Sequence, residues 1–326
     1  VRRRDFIALI SGAATWPLAA RAQQAAIPVI GLLHSRSRES FMPNLAGFPE
    51  ALKEAGYIDG QNISVEYRFA DGQYEKLPAL AAELVRRPVA VLVAGGGEPS
   101  ALAAKAATST IPIVFTVGSD PVKAGLVASF NRPGGNITGI DILTDTLEAK
   151  RLGLLHQLVP NATTAGFLWN PRFASAENQE RDVADAARDL GLKVQAFTAS
   201  TDREIDSAFT AASEQKIPAL IIGADPFLDT HRDRIIALAA TLKVPTVYQF
   251  REHVHAGGLM SYGIDIIDVY RQVGRYVARI LKGEKPGDLP ILRPTKFEFL
   301  INLKTSKALG LNMPSGLMAI ADEVIE

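Results

Sequence analysis

The chain has 326 residues, enough for two domains with full hydrophobic cores. Apolar residues make up 47% and charged residues 21%, an ordinary globular balance that excludes a disordered or fibrous chain. Basic and acidic residues both number 35, so there is no cationic excess to hold nucleic acid, and the absence of cysteine excludes disulfides, thiolate metal sites and a cysteine nucleophile.

Residues 1–22 read as an export signal rather than as part of the fold. Arg2, Arg3 and Arg4 precede an apolar run from Phe6 to Ala20, and Ala20-Arg21-Ala22 has the small-x-small pattern of a signal-peptidase site. The run Arg3-Arg4-Asp5-Phe6-Ile7 has the form of a twin-arginine signal. Its apolar stretch is interrupted by Pro17 and falls short of the roughly 20 residues that span a bilayer. Cleavage after Ala22 removes four arginines and one aspartate and leaves a net charge of −3, so a soluble periplasmic protein is expected.

From Ile27 onward, short Val/Ile-rich runs alternate with amphipathic segments. Strands are predicted at Ile27–Leu33, Ile63–Phe69, Val89–Ala94, Ile111–Thr116 and Ile137–Ile140, with helices at Phe41–Ala55, Leu77–Arg86, Pro99–Ala107 and Val122–Ser129. Pro49 is expected to start or kink the first of these helices. The pattern then restarts, with helices at Leu147–Val159, Ala174–Leu190, Glu204–Ser213 and Leu228–Leu242. The strands between and after them are Thr164–Trp169, Leu192–Phe197, Ala219–Gly223, Val244–Tyr248 and Leu259–Gly263. A helix at Ile267–Leu281, a strand at Lys296–Leu303 and a short helix ending at Gly310 complete the chain. Continuous rather than alternating apolar runs mark strands covered on both faces, so the fold class is α/β with parallel sheets. The proline-led runs Pro88-Val-Ala-Val and Pro112-Ile-Val-Phe find an echo in Pro218-Ala-Leu-Ile and Pro245-Thr-Val-Tyr, which suggests two lobes of one design. Their limits are placed at 27–141 with 264–289 for the first lobe and 142–263 with 290–326 for the second.

Four strand ends carry the same punctuation: Glu98-Pro99, Asp120-Pro121, Asn170-Pro171 and Asp225-Pro226. Proline suits a first helical position and Asp or Asn the cap before it, so each junction reads as a helix start. Ligands of open α/β sheets bind outside the carboxyl ends of the strands, where helix starts offer amide donors. Gly95-Gly96-Gly97 before Ser100 allows close approach to backbone, but Ser100 stands where a dinucleotide fingerprint needs its last glycine. No cofactor is expected. His253-x-His255 lacks a third metal ligand and reads as a surface loop, and there is no G-x-S-x-G elbow.

Several stretches are similar to one family. They are Leu52-Lys-Glu-Ala-Gly-Tyr57 with Gly60-Gln-Asn62, Gln73-Tyr-Glu-Lys-Leu-Pro-Ala-Leu80, and Ser100-Ala-Leu-Ala-Ala-Lys-Ala-Ala107. Further on come Asp120-Pro-Val-Lys123, Asn131-Arg-Pro-Gly-Gly-Asn-Ile-Thr-Gly139, Gly257-Gly-Leu-Met-Ser-Tyr-Gly263 and Lys296-Phe-Glu-Phe-Leu-Ile-Asn-Leu-Lys304. Nearly end to end, the chain resembles the ABC-transporter substrate-binding proteins of the tryptophan/tyrosine type. That resemblance implies a type I periplasmic-binding-protein architecture: two Rossmann-like lobes joined by hinge crossovers, closing on a solute. It implies a small amino-acid-like ligand, aromatic in characterised relatives, handed to an ABC permease in the inner membrane, by a monomer with no nucleic-acid partner.

Carried onto this sequence, the resemblance implies that Ser35 beside His34, the loop from Gly97 to Ser100, and Asp120 line the first lobe. Asn170, Asp225, Tyr248, Glu252 and Tyr262 line the second lobe or the hinge. Helix-end amides and Ser100 are expected to meet an α-carboxylate, Asp120 or Asp225 an α-ammonium, and Tyr248, Tyr262 or Trp169 an apolar side chain. Trp169 is expected at the cleft edge, where its bulk narrows the pocket. Two other readings stay open: a ligand-sensing receptor of the same fold, and an exported hydrolase using a cleft carboxylate.

Overall fold

A computed structural model describes residues 27–326; the export signal expected at residues 1–22 lies outside the described residues. The apolar runs form two sheets. In the first, β1 (Val29–His34), β2 (Ser64–Phe69), β3 (Val89–Gly95), β4 (Ile113–Val117) and β5 (Ile137–Asp141) lie in the order β2-β1-β3-β4-β5, all parallel. In the second, β6 (Thr164–Trp169), β7 (Lys193–Thr198), β8 (Leu220–Ile222), β9 (Thr246–Tyr248) and β10 (Met260–Ile264) repeat that plan as β7-β6-β8-β9-β10, again parallel. β11 (Phe297–Asn302) adds antiparallel to β10, and β12 (Glu323–Ile325) parallel to β11. Two like doubly wound sheets therefore stand behind the echo in the sequence.

The β1 side chains show why the strands are apolar throughout. Ile30 and Leu32 enter a core shared with α2 (Gly47–Glu54) and α11 (Ile266–Leu281), while Leu33 enters the core on the other face, with Leu84 of α3 (Leu77–Val85) and Ala101 of α4 (Glu98–Ala107). The chain passes from the first sheet to the second after β5, through Ile142–Leu147, and enters α5 (Glu148–Leu158). It returns after β10 through Asp265, whose side chain caps α11 by accepting from Asp268 N. Leu292 still pairs with Ile140 on the first sheet, so residues 290–292, expected with the second lobe, run with the first.

Four predicted elements differ in the structure. The segment Val122–Ser129 is a chain of turns, because Gly125 takes φ +70° and Lys105 Nζ bonds the carbonyls of Gly125 and Leu126. The helix expected at Phe41–Ala55 splits into α1 (Arg38–Phe41), a 3-10 turn at Met42–Ala46 containing Pro43, and α2. Pro49 then sits in the first turn of α2, where no N–H partner is missing. The helix expected at Leu228–Leu242 is broken at His231 into α8 (Pro226–Thr230) and α9 (Arg232–Thr241). His253-x-His255 lies in α10 (Arg251–His255) rather than in a surface loop, with His253 buried and stacked on Tyr248. Among the described residues, no group of His, Asp or Glu is arranged to hold a metal ion. The remaining helices are α6 (Ala176–Asp189), α7 (Asp202–Glu214), α12 (Leu303–Ala308) and α13 (Ser315–Ile320).

α11 matters most for positioning the site, because it follows a passage between sheets yet packs on α2. Two glycines permit that contact. A Cβ on Gly47 would lie 2.2 Å from the Ile267 carbonyl, and one on Gly274 would lie 2.7 Å from the Phe48 carbonyl. Gly274→Val is expected to lower unfolding free energy in urea by about 1–3 kcal/mol, the usual cost of overpacking. Gly153→Ala in α5, where an added Cβ meets nothing within 4 Å, is expected to leave stability unchanged or raise it by up to about 1 kcal/mol. An unchanged Gly274→Val protein would show that the α2–α11 contact is loose.

Candidate ligand-binding site

The carboxyl ends of the two sheets frame one narrow cavity of about 50 Å³. His34 and Arg36 reach it from the end of β1, Gly96 and Gly97 from β3, Thr116 and Gly118 from β4, and Ile142 from β5. Phe173 comes from the loop after β6, Asp225 and Asp229 from the segment after β8, and Phe250 from after β9. Both halves thus contribute the sheet edge at which α/β folds place ligands.

The first-lobe wall is organised by His34. Its Nδ1 accepts from the Arg36 backbone N–H at 3.0 Å, and its Nε2 lies 3.2 Å from the Tyr270 hydroxyl of α11. The ring stacks on Phe41 with centroids 3.7 Å apart. Burial, followed by the nearby Arg36 charge, holds the imidazole well below its ordinary pKa, so it is neutral. The glycine run serves this arrangement. A Cβ on Gly95 would fall 2.5 Å from the Tyr270 oxygen, and one on Gly96 2.9 Å from the His34 ring.

The opposite wall is acidic. Asp225 caps α8, accepting from Leu228 N at 2.8 Å, and also accepts from Asn170 Nδ2 at 3.1 Å and from the Tyr74 hydroxyl. Burial outweighs these donors and, with help from the Asp229 charge, pushes Asp225 up to about 7. Asp229 accepts from Gln249 Nε2 and lies 3.8 Å from the Arg36 guanidinium and 3.5 Å from His253 Nε2. Arg36 also donates to the Ser40 carbonyl at 2.6 Å and meets Glu252 at 3.4 Å, where Asn44 donates at 2.7 Å. Phe41, Phe173, Phe250, Ile142 and Ile266 supply the apolar surface.

Of the candidates named from sequence, His34, Gly97 and Asp225 line this cavity. Asn170 sits behind Asp225 as its donor and faces an outer cleft with Tyr74 and His231. Ser35 and Ser100 are buried and bonded to each other at 2.5 Å, which takes the Ser100 hydroxyl away from the cavity. Glu252 acts through Arg36 and Asn44 rather than from the wall. Asp120 lies outside the cavity, its carboxylate accepting from Val122 N and Lys123 N in a turn. Tyr248 is a core residue, and Tyr262 stacks on Phe297 away from the cavity. Trp169 packs on the second-lobe core and does not narrow the cavity. Of the four proline junctions, those at Pro99 and Pro226 start helices, while those at Pro121 and Pro171 are turns. Arg36, Thr116, Asp229 and Tyr270 were not singled out from sequence. The first three lie within ten residues of a strand's carboxyl end, a signal available beforehand; Tyr270 comes from a helix and carries none.

The cleft is shut. Tyr74, beside α3, donates to Asp225 and accepts from Phe227 N at 3.2 Å, and Ser37 N donates to Thr230 Oγ1 at 3.2 Å. A two-lobed α/β chain with its cavity between the carboxyl ends of two like sheets has the architecture of the type I periplasmic binding proteins. Residues 27–325 match the family model described as ABC transporter substrate binding protein, and the chain belongs to that family. It is 31% identical over 266 residues to a protein of Clostridioides difficile (strain R20291) named tyrosine-binding protein, covering 81% of this chain and 76% of that one. A Streptococcus pneumonia ABC domain in complex with L-Trp superposes with a TM-score of 0.80 at 26% identity, covering 91% of this chain and 100% of that one. The ligand-free, open structure of a Clostridium difficile substrate-binding protein with adhesive properties, also 26% identical, gives 0.65 over 92% of this chain and 99% of that one. At equal identity, the ligand-bound structure is the better match.

Asp225 makes closure depend on pH. Its raised pKa belongs to the shut state; opening, by admitting water, is expected to lower it toward the ordinary carboxylate range. The shut state therefore binds the extra proton, and its advantage is lost as pH rises through about 7. Without ligand, the radius of gyration from small-angle scattering is expected to be larger at pH 8.5 than at pH 5. Tyr74→Phe, which removes the hydroxyl bridging the lobes, is expected to favour the open form by about 1–3 kcal/mol. A radius unaffected by either change would contradict this role for the pair.

Proposed function

We propose that this chain is the exported receptor of an ABC importer, and that it closes on a free amino acid with an aromatic or large apolar side chain. One observation carries the reading: a cavity between the lobes has hydroxyl donors on one wall, buried carboxylates on the other, and Phe41, Phe173 and Phe250 between them. A zwitterion with an apolar side chain answers all three. Arg36 is already met by Ser40, Glu252 and Asp229, so its part is to hold the acidic wall. Asp225 and Asp229 then face the ligand's ammonium, and the rings take its side chain.

In this reading the protein acts in the periplasm as a monomer and delivers its ligand to a membrane permease. The lobes are residues 27–141 with 265–292, and 142–264 with 293–326. The relatives' names support the ligand class. A receptor is favoured over a hydrolase using a cleft carboxylate because the relatives are named for binding, and the Asp225 carboxylate is engaged by Leu228 N, Asn170 and Tyr74.

Thermal unfolding with L-tyrosine, L-tryptophan, L-phenylalanine, glucose and ribose tests this directly. An aromatic amino acid at 100 times its Kd is expected to stabilise the protein by about 2.7 kcal/mol, with no effect of the sugars. Stabilisation by a sugar alone, or by none of the five, would overturn the proposal.

A further inference from the structure

The first-lobe wall carries a chain of hydrogen bonds whose direction is fixed by proton bookkeeping. The Arg36 backbone N–H can only donate, so His34 Nδ1 must be the acceptor. In the neutral ring the proton then sits on Nε2, which donates to the Tyr270 hydroxyl. With its oxygen accepting from His34, Tyr270 has its own proton to give. The protein atom within reach is Thr116 Oγ1, at 3.5 Å, a long and weak contact. Thr116 is buried at the end of β4, and both residues line the cavity.

We propose that Tyr270 and Thr116 form the donor pair that receives the ligand's carboxylate, with His34 as the positioning residue that aims the Tyr270 proton into the cavity. This deepens the amino-acid reading above and rests on it. The placement follows from charge: the opposite wall holds Asp225 and Asp229, which repel a carboxylate and attract the ammonium. The ligand therefore lies across the cavity, its carboxylate on the first lobe and its ammonium on the second. Gly95 and Gly96 are part of the same device, since side chains there would displace the Tyr270 oxygen and the His34 ring.

Calorimetric titration of the full-length protein tests the assignment with L-tyrosine and with tyramine, which lacks only the carboxylate. Tyr270→Phe is expected to weaken L-tyrosine binding roughly 10- to 100-fold, as for loss of a hydrogen bond to a charged group, and to leave tyramine binding unchanged. Thr116→Val is expected to act in the same sense and supplies the same comparison should Tyr270→Phe fail to fold. His34→Gln, whose amide nitrogen can replace Nε2 as donor, is expected to retain more affinity than His34→Asn, which keeps only the acceptor. Equal losses for tyrosine and tyramine, or no loss for tyrosine, would overturn the donor pair, and His34→Asn binding as well as His34→Gln would overturn the positioning role. Should the wild-type protein bind no aromatic amino acid, the amino-acid reading itself fails and takes this assignment with it.

Discussion

The cleft is arranged around the burial of more negative than positive charge. Asp229 and Glu252 are held close to the guanidinium of Arg36, Asp225 feels the Asp229 charge, and Asp225, Asp229 and Arg36 are all at most 5% exposed. Taking carboxylates out of water costs several kcal/mol each unless donors and counter-charges replace the solvent. Asn44, Gln249, Asn170, Tyr74 and the first turn of α8 supply donors, but the counter-charge falls short. In the shut molecule burial, followed by the Asp229 charge, pushes Asp225 up to about 7, so that below this pH it holds a proton. A ligand ammonium would answer the same need, which is the physical basis for proposing an amino acid rather than a neutral sugar.

That imbalance also couples the two lobes. Arg36 belongs to the loop after β1, whereas Asp229 belongs to α8 and Glu252 to α10, so the ion pairs cross the cleft. Tyr74 crosses it again to Asp225. A guest that touches donors on one wall and acids on the other stabilises the shut form by its difference in contacts between the shut and open states. The three passages of chain between the sheets carry such a motion as a hinge, and α11 connects it to the site. It begins at a passage after β10, packs on α2 through Gly47 and Gly274, and brings Tyr270 to the cavity.

Much of the architecture could be read from the residues. Unbroken Val/Ile runs such as Val89–Val93 announced parallel strands covered on both faces, and the repeated proline-led runs anticipated two sheets of one topology. Local signals failed where tertiary contacts decided. Helical spacing at Val122–Ser129 gave way to Gly125 and the Lys105 contacts, and the junctions at Pro121 and Pro171 became turns. For the site, strand-end position found His34, Gly97 and Asp225, but it equally suggested Ser100, whose hydroxyl is turned to Ser35, and Asp120, which stays outside. Tyr270 was invisible because it reaches the cavity from a helix some 236 residues from its partner His34. The Gly95-Gly96-Gly97 run was legible as a place of close approach, although what approaches Gly95 and Gly96 is the protein's own His34–Tyr270 pair.

The charge balance of the cleft is tested most directly by counting protons on binding. Titrating the protein with L-tyrosine at pH 6.5, in buffers of different ionisation enthalpy, gives the number of protons exchanged. With Asp225 at about 7 in the shut form, ligand-free protein that is already shut at pH 6.5 by small-angle scattering is expected to release more than half a proton per ligand, as an ammonium takes the proton's place, and to lose that release in Asp225→Asn. Binding with no proton exchange, or with proton uptake, would contradict the idea that the ligand's positive charge completes the acidic wall.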